Sequence, residues 1–95
     1  MPGIGERPAP AGAAAELVEE GMAEKRAGRF DQAVVRFEAA LLEDPDNEDA
    51  HWGLAWTLAD QGKKSQAIAE FEEVLELTQD SVRASEAEAA IERLQ

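Results

Sequence analysis

Two stretches of the chain repeat each other at an offset of 34 residues, a period typical of stacked helical hairpins. The matched pairs are Gly21 and Ala55, Gly28 and Gly62, Gln32 and Gln66, Ala33 and Ala67, Val34 and Ile68, Phe37 and Phe71, Glu38 and Glu72, and Leu41 and Leu75. A hairpin of this size cannot bury its apolar face alone. The repeat therefore predicts two hairpins packed side by side, and it indicates a fold class more sharply than it indicates a partner.

The first repeated stretch begins with a helical stripe of apolar and small residues. Leu17, Val18, Gly21 and Met22 recur at a spacing of three to four residues, which places them on one helix face. Gly28 is predicted to end this helix, because glycine adopts the left-handed C-terminal conformation at little cost.

The helix boundaries that follow are indicated by caps and breakers. Asp31 is expected to help cap the second helix, and Pro45 stops it because proline cannot continue a helix. Asn47 is the predicted N-cap of a third helix that ends at Gly62, and Ser65 is the predicted cap of a fourth. Short connections of this kind favour antiparallel neighbours.

The last segment has the pattern of a modest amphipathic helix. Its apolar stripe comprises Ala84, Ala87, Ile91 and Leu94, with Ala90 beside it, whereas Arg83 lies off the stripe. Such a helix is expected to cover the open end of the stack, which would otherwise expose the apolar face of the fourth helix. No segment alternates in the manner of a strand, so the predicted fold class is all-α with five helices.

These patterns predict one small domain. Residues 1–12 hold three of the four prolines and are expected to be a flexible lead-in, while residues 13–95 form the helical domain. Within it, the first repeat is assigned to residues 14–47, the second to residues 48–81 and the capping helix to residues 82–94.

Composition excludes several classes of protein. The chain has no cysteine, so disulfide bonds and thiolate metal sites are impossible. The apolar runs are too short for a membrane span, and the first residues lack a signal-peptide pattern, so a cytoplasmic location is expected. The net charge of −12 argues against nucleic acid and anionic lipid as partners. Solvated helix faces explain this acidity most simply, and adaptation to a salty cytoplasm is the alternative left open.

The chain resembles the tetratricopeptide repeat family over residues 14–81. The family's small residues, turn glycine, aromatics and closing proline are matched in the first repeat by Gly21, Gly28, Phe30, Ala33, Phe37, Ala40 and Pro45, and in the second by Ala55, Gly62, Ala67 and Phe71. The departures include Glu20 and Glu24 at two apolar positions of the first helix, and Lys64, Val74 and Gln79 in the second repeat. The resemblance implies a short right-handed solenoid of helix–turn–helix repeats with a C-terminal capping helix.

The resemblance also implies a concave groove lined by the first helix of each repeat, where peptides lie. Carried over by position, its lining comprises Ala15, Val18, Met22, Lys25 and Arg26 from the first repeat, and Asp49, Trp52, Trp56, Ala59 and Asp60 from the second. From the residues alone, Trp52 and Trp56 are four apart and share a helix face. An exposed pair of tryptophans is the kind of apolar patch that interfaces favour. The alternative is that one or both pack inward against the last helix or the neighbouring repeat.

Catalytic chemistry has little support in the sequence. His51 is the single histidine, and its position favours packing or capping over catalysis. No metal-ligand spacing, phosphate-binding glycine loop or nucleophile motif is present, so neither catalytic residues nor a cofactor are predicted. A chaperone-type carboxylate clamp, known in part of the family, is not expected either, because Val18, Met22 and Gly53 occupy three of its positions.

The sequence thus predicts a protein–protein interaction module that binds a peptide segment or protein surface in its groove. Homo-oligomerisation through the same tryptophan-lined face is the alternative, since two repeats are few for a free-standing solenoid.

Overall fold

The computed structural model describes residues 12–95, which form five α-helices joined by short connections. The helices are α1 (Ala13–Arg26), α2 (Phe30–Glu43), α3 (Glu48–Asp60), α4 (Lys64–Leu77) and α5 (Ser81–Leu94). No strand occurs among these residues. The predicted all-α fold with five helices is confirmed, whereas the predicted lead-in lies outside the described residues except for Gly12.

The helices stack in the order of the chain. The α1 and α2 helices form one hairpin and α3 and α4 a second, while α2 packs on α3 and α4 packs on α5. The α1 and α3 helices also touch directly, so the first helices of the two hairpins lie side by side. This arrangement is a helical repeat stack closed at one end by α5.

The same turn connects the helices within each hairpin. Gly28 and Gly62 have φ angles of 81° and 79°, in the left-handed region. In the first turn, the Arg29 N–H donates to the Glu24 carbonyl and the Gly28 N–H donates to the Lys25 carbonyl. The second turn repeats this pattern, which is the Schellman arrangement that satisfies the last carbonyls of a helix. The prediction that these two glycines end α1 and α3 is confirmed.

The helix starts agree only in part with the sequence. Asn47 caps α3, because its side-chain oxygen accepts a hydrogen bond from the Ala50 N–H at 2.9 Å. The capping roles predicted for Asp31 and Ser65 are wrong, since α2 and α4 follow Arg29 and Lys63 with no side-chain cap. Each glycine turn is so short that the next helix has already begun before Asp31 or Ser65. Asp31 instead accepts a hydrogen bond from Gln61 Nε2 at 2.7 Å, which links the turns of the two hairpins.

The α5 helix has a cap that the sequence pattern did not indicate. The Asp80 carboxylate accepts hydrogen bonds from the N–H groups of Val82 and Arg83, at 2.9 and 3.3 Å. Aspartate is a preferred N-cap residue, so the helix start is fixed one residue earlier than the pattern indicated.

The core runs between the two helix layers and is built around two phenylalanines and small residues. Phe37 and Phe71 are fully buried, and so are Ala33 and Ala67, which follow the glycine turns. The other buried apolar residues are Ala14, Val18, Ala40, Ala50, Leu54, Ala55, Leu58, Val74, Ala87 and Ala90. Alanine predominates because helices that cross closely leave no room for larger side chains.

The ring of Phe37 lies against the backbones of α1 and α3 at two glycines, Gly21 and Gly53, which have no side chain. A Cβ atom added at Gly21 would come within 2.8 Å of Phe37 Cε1, and one at Gly53 within 2.5 Å of the same atom. Both distances are shorter than real carbon–carbon contacts. Glycine at these two positions therefore lets α1 and α3 close around the Phe37 ring.

Candidate functional site

The two tryptophans of α3 lie side by side and are half-buried. Their ring centroids are 5.7 Å apart in an edge-to-face arrangement, as expected for residues one helical turn apart. Each ring also meets the buried Phe71 ring edge-on, at 5.8 Å for Trp52 and 4.9 Å for Trp56. Each tryptophan thus packs inward on α4 of its own repeat while part of its surface stays accessible. From the sequence, inward packing is expected only against the last helix or the neighbouring repeat.

Two arginines of α5 lie over these tryptophans. The Arg83 guanidinium carbon is 4.9 Å from the Trp52 ring centroid, and that of Arg93 is 5.9 Å from the Trp56 ring centroid. Both distances are within the range of cation–π attraction. The α5 helix therefore also covers one side of the two tryptophans, a contact that the sequence did not predict.

Arg83 is held in place by two carboxylates at the start of α3. Its Nη1 donates to Asp49 Oδ1 at 2.7 Å and to Glu48 Oε2 at 2.9 Å. Partial burial acts to lower the pKa of Arg83, but the hydrogen bonds and charges of Asp49 and Glu48 outweigh it and raise that pKa. The guanidinium remains charged and connects α5 to α3.

A small apolar cavity opens beside Trp56. It has a volume of about 140 Å³ and lies between α3 and α5, lined by Trp56, Ala59, Ala90, Arg93 and Leu94. Small-molecule and cofactor sites usually measure roughly 300–1,000 Å³. The cavity is therefore suited to a single apolar side chain rather than to a cofactor.

The α1 residues of the expected groove occupy three kinds of place. Val18 is only 8% exposed and lies in the core, beneath the surface rather than on it. Met22 is half-buried, with its Cε 3.0 Å from the point where a Cβ at Gly53 would lie. Lys25 Nζ lies 3.4 Å from Asp60 Oδ2 and so bridges α1 and α3, while Ala15 and Arg26 are exposed.

We call the surface that these residues form the tryptophan face. It comprises Met22, Lys25 and Arg26 of α1, Asp49, Trp52, Trp56, Ala59 and Asp60 of α3, and Arg83, Ala90, Arg93 and Leu94 of α5. The structure brings the expected α3 residues onto one face and pairs Asp60 with Lys25, but it places Val18 below that face.

The four α5 residues were missed although the sequence carries a signal for them. Adding one more period of 34 residues to Asp49, Trp56, Ala59 and Asp60 leads to Arg83, Ala90, Arg93 and Leu94. The α5 helix thus occupies the register of the first helix of a further repeat. Its sequence departs from the repeat motif, so only the spacing could have identified these residues.

His51 has the packing role that the sequence favoured. It is 8% exposed, and its Nδ1 lies 2.6 Å from Glu70 Oε1 while its Nε2 lies 2.8 Å from the Pro45 carbonyl oxygen. It therefore joins α3 to α4 and to the connection between α2 and α3. Within residues 12–95, histidine and carboxylate side chains form no cluster of three or more that could hold a metal ion.

The described helices include none with the length and apolar character needed to cross a membrane.

Comparison with known proteins agrees with this geometry. The family model described as tetratricopeptide repeat matches residues 24–94, which include α2, α3, α4 and α5. No curated protein shows significant similarity to the chain.

Proposed function

Because the chain belongs to the tetratricopeptide repeat family, whose members are in general protein–protein interaction modules, we propose that it binds a peptide segment or protein surface on its tryptophan face. The family provides a non-catalytic scaffold. The proposal accordingly includes no catalytic activity and no cofactor, and it keeps the cytoplasmic location expected from the sequence.

The observation that carries the proposal is the position of Trp56. Its ring packs on Phe71, bears Arg93 above it and forms one wall of the apolar cavity. Tryptophan and arginine are the residues most often found at energetic hot spots of interfaces, where they lie beside pockets that a partner fills. A ring already fixed by its neighbours loses little conformational entropy when a partner covers it.

In this mode of binding, an apolar side chain of the partner enters the cavity between α3 and α5. Met22, Trp52 and Ala59 extend the apolar surface on which the flanking residues of the partner lie. This arrangement buries apolar area at the centre of the contact, where it contributes most to affinity.

Charged groups surround this apolar centre. Lys25 and Asp60 form an ion pair on one side, and Asp49 with Arg83 forms another. Such peripheral charges influence specificity and association rate more than affinity. Arg26 and Arg93 add positive charge to the tryptophan face of a chain whose net charge is −12.

The test is the substitution Trp56→Ala, measured on a peptide selected from a random library for binding to the unaltered protein. We expect affinity to fall by about 2 kcal/mol, roughly 30-fold, because a hot-spot ring and one wall of the cavity are lost. Leu42→Ala is the control, because Leu42 is an exposed apolar residue of α2 that lies outside the tryptophan face. Circular dichroism should show unchanged helix content for both variants.

Sedimentation of the same proteins distinguishes peptide binding from the alternative, homo-oligomerisation through the tryptophan face. A monomer whose peptide affinity depends on Trp56 supports the proposal. A dimer that dissociates in the Trp56→Ala variant favours self-association. If neither affinity nor assembly changes while the helices persist, the tryptophan face is not the functional surface.

A further inference from the structure

The His51 side chain faces a hydrogen-bond acceptor at each of its two ring nitrogens. The Glu70 carboxylate lies 2.6 Å from Nδ1, and the Pro45 carbonyl oxygen lies 2.8 Å from Nε2. A carbonyl oxygen only accepts, so Nε2 must carry a proton to bond Pro45. The Glu70 oxygen, when ionised, likewise only accepts, so Nδ1 must carry a proton as well.

A neutral imidazole has a single N–H group and satisfies only one of these two acceptors. The other nitrogen would direct its lone pair at an oxygen in a site where His51 is 8% exposed. An unpaired buried polar group of this kind costs free energy, because water does not replace the lost partner. We infer that His51 is held as an imidazolium that links the α2–α3 connection and α4 to α3, so that the junction between the two repeats depends on one bound proton.

The charges around His51 favour this protonated form. From α4, Glu70 and Glu73 face the ring. The α2–α3 connection that supplies the Pro45 carbonyl also holds two further carboxylates, Asp44 and Asp46.

On α3 itself, Glu48 and Asp49 precede His51, and both are paired with Arg83, the cation that α5 contributes nearby. Burial acts to lower the pKa of His51, but the hydrogen bonds to Glu70 and Pro45 and the charges of Glu70 and Glu73 outweigh it and raise that pKa above 6.5.

The direction of the pH dependence follows from the raised pKa. Below pH 6.5, His51 is protonated in both the folded and the unfolded chain, and its contacts with Glu70 and Pro45 contribute their full stability. Between pH 6.5 and the folded-state pKa, the folded protein binds more protons than the unfolded protein, so folding weakens as the pH rises. One proton lowers the folding equilibrium constant by up to about tenfold per pH unit in this window.

The clasp formed by Pro45, His51 and Glu70 is also connected to the tryptophan face. His51 directly precedes Trp52 on α3, and Glu70 directly precedes Phe71 on α4, whose ring contacts Trp52. Loss of the proton loosens the α3–α4 contact at the point where these rings meet. Tryptophan emission should therefore change with the same pH midpoint as His51.

The first experiment is a pH titration of the intact protein by nitrogen NMR, in which the single histidine gives an unambiguous signal. We expect both ring nitrogens to be protonated at pH 6.5 and the midpoint to lie above that value. Glu70→Gln keeps an acceptor of equal size but removes the charge, so it should lower the midpoint. Glu72→Gln, an exposed carboxylate on the same helix, should leave it unchanged. A midpoint at or below pH 6.5, or one that Glu70→Gln does not lower, overturns the inference.

The second experiment measures urea unfolding between pH 6 and pH 9. The folding equilibrium constant of the unaltered protein should fall as the pH rises. Glu70→Gln should make this fall smaller, whereas Glu72→Gln should leave it unchanged. The difference between the variants removes contributions from other titrating groups, including the N-terminus. A loss of stability that is equal in all three proteins, or absent from the unaltered one, refutes the proton dependence.

Discussion

The two repeats bury a phenylalanine at the same position but surround it differently. Phe37 of the first repeat lies against Gly21 and Gly53, where a Cβ atom would collide with its ring. The residues one period later are Ala55 and Ala87, both fully buried. The first repeat thus makes room for its phenylalanine by removing side chains, whereas the second retains a methyl group at both places.

The outer neighbours of the two rings also differ. Phe71 meets the edges of Trp52 and Trp56, whereas the residues one period earlier in the first repeat are Val18 and Met22. Two solutions to the same packing problem therefore have different consequences. In the first repeat, the close contact of the α1 and α3 backbones with Phe37 connects that repeat to the second. In the second repeat, the tryptophan edges pack on Phe71 and part of the tryptophan surface stays accessible.

Removing either phenylalanine ring should have the largest effect. We expect Phe37→Ala and Phe71→Ala each to lower the free energy of unfolding by about 3–5 kcal/mol, because both rings are fully buried and leave a cavity. Urea unfolding followed by circular dichroism measures both losses. The milder changes Phe37→Leu and Phe71→Leu keep the chain folded, and only Phe71→Leu should alter native tryptophan emission. Equal emission changes in Phe37→Leu and Phe71→Leu would contradict the conclusion that only the second repeat packs its phenylalanine against the tryptophans.

Adding a methyl group at Gly53 should have the next largest effect. Alanine favours a helix over glycine by about 1 kcal/mol, yet we expect Gly53→Ala to destabilise the protein by about 1–3 kcal/mol because the new Cβ meets the Phe37 ring. Adding Phe37→Leu to this variant should recover part of the loss, which a double-mutant cycle measures. Stabilisation by Gly53→Ala would show that the ring yields and that the close approach is not required.

The capped start of α3 should matter more than the uncapped start of α4. We expect Asn47→Ala to cost about 1 kcal/mol, because the Ala50 N–H loses its side-chain partner. Ser65→Ala should change stability by less than about 0.5 kcal/mol, since α4 has no side-chain cap. Thermal unfolding compares the two, and an equal loss in both would mean that Ser65 caps α4 in solution.

The ion pair between the repeats should contribute least. Lys25 and Asp60 are partly exposed, so we expect Lys25→Met to cost about 0.2–1 kcal/mol, and less in concentrated salt. Arg83→Met at the α3–α5 contact should cost more, because Arg83 binds two carboxylates and lies over Trp52. Melting temperatures at low and high sodium chloride measure both, and a larger loss for Lys25→Met would reverse the ranking of the two contacts.

The repeat spacing was sufficient to predict the fold because it records which residues must be small and which must be apolar. Gly28, Gly62 and Asn47 have the predicted local roles, since each acts within a few residues of its own position. The caps assigned to Asp31 and Ser65 failed because the preceding turn decides where the next helix starts.

The candidate site was harder to predict because its contacts lie between helices distant in sequence. The position of Val18 in the core depends on how closely α1 meets its neighbours, and the steric role of Gly53 depends on a ring sixteen residues earlier. Amphipathic patterning placed Arg83 off the apolar stripe of α5 and gave no role to Arg93. The 34-residue spacing marks their positions, and their contact with the rings of α3 shows that they belong to the tryptophan face.

Gly53 also has a consequence for the order in which the chain folds. A glycine in the middle of α3 weakens the helix by about 1 kcal/mol relative to alanine, and helices of this length are marginal in isolation. Much of the stability of the α3 helix therefore comes from its packing on Phe37 of the preceding hairpin. A state with the second hairpin formed and the first unformed is disfavoured, so the two halves fold cooperatively as one unit rather than as independent modules.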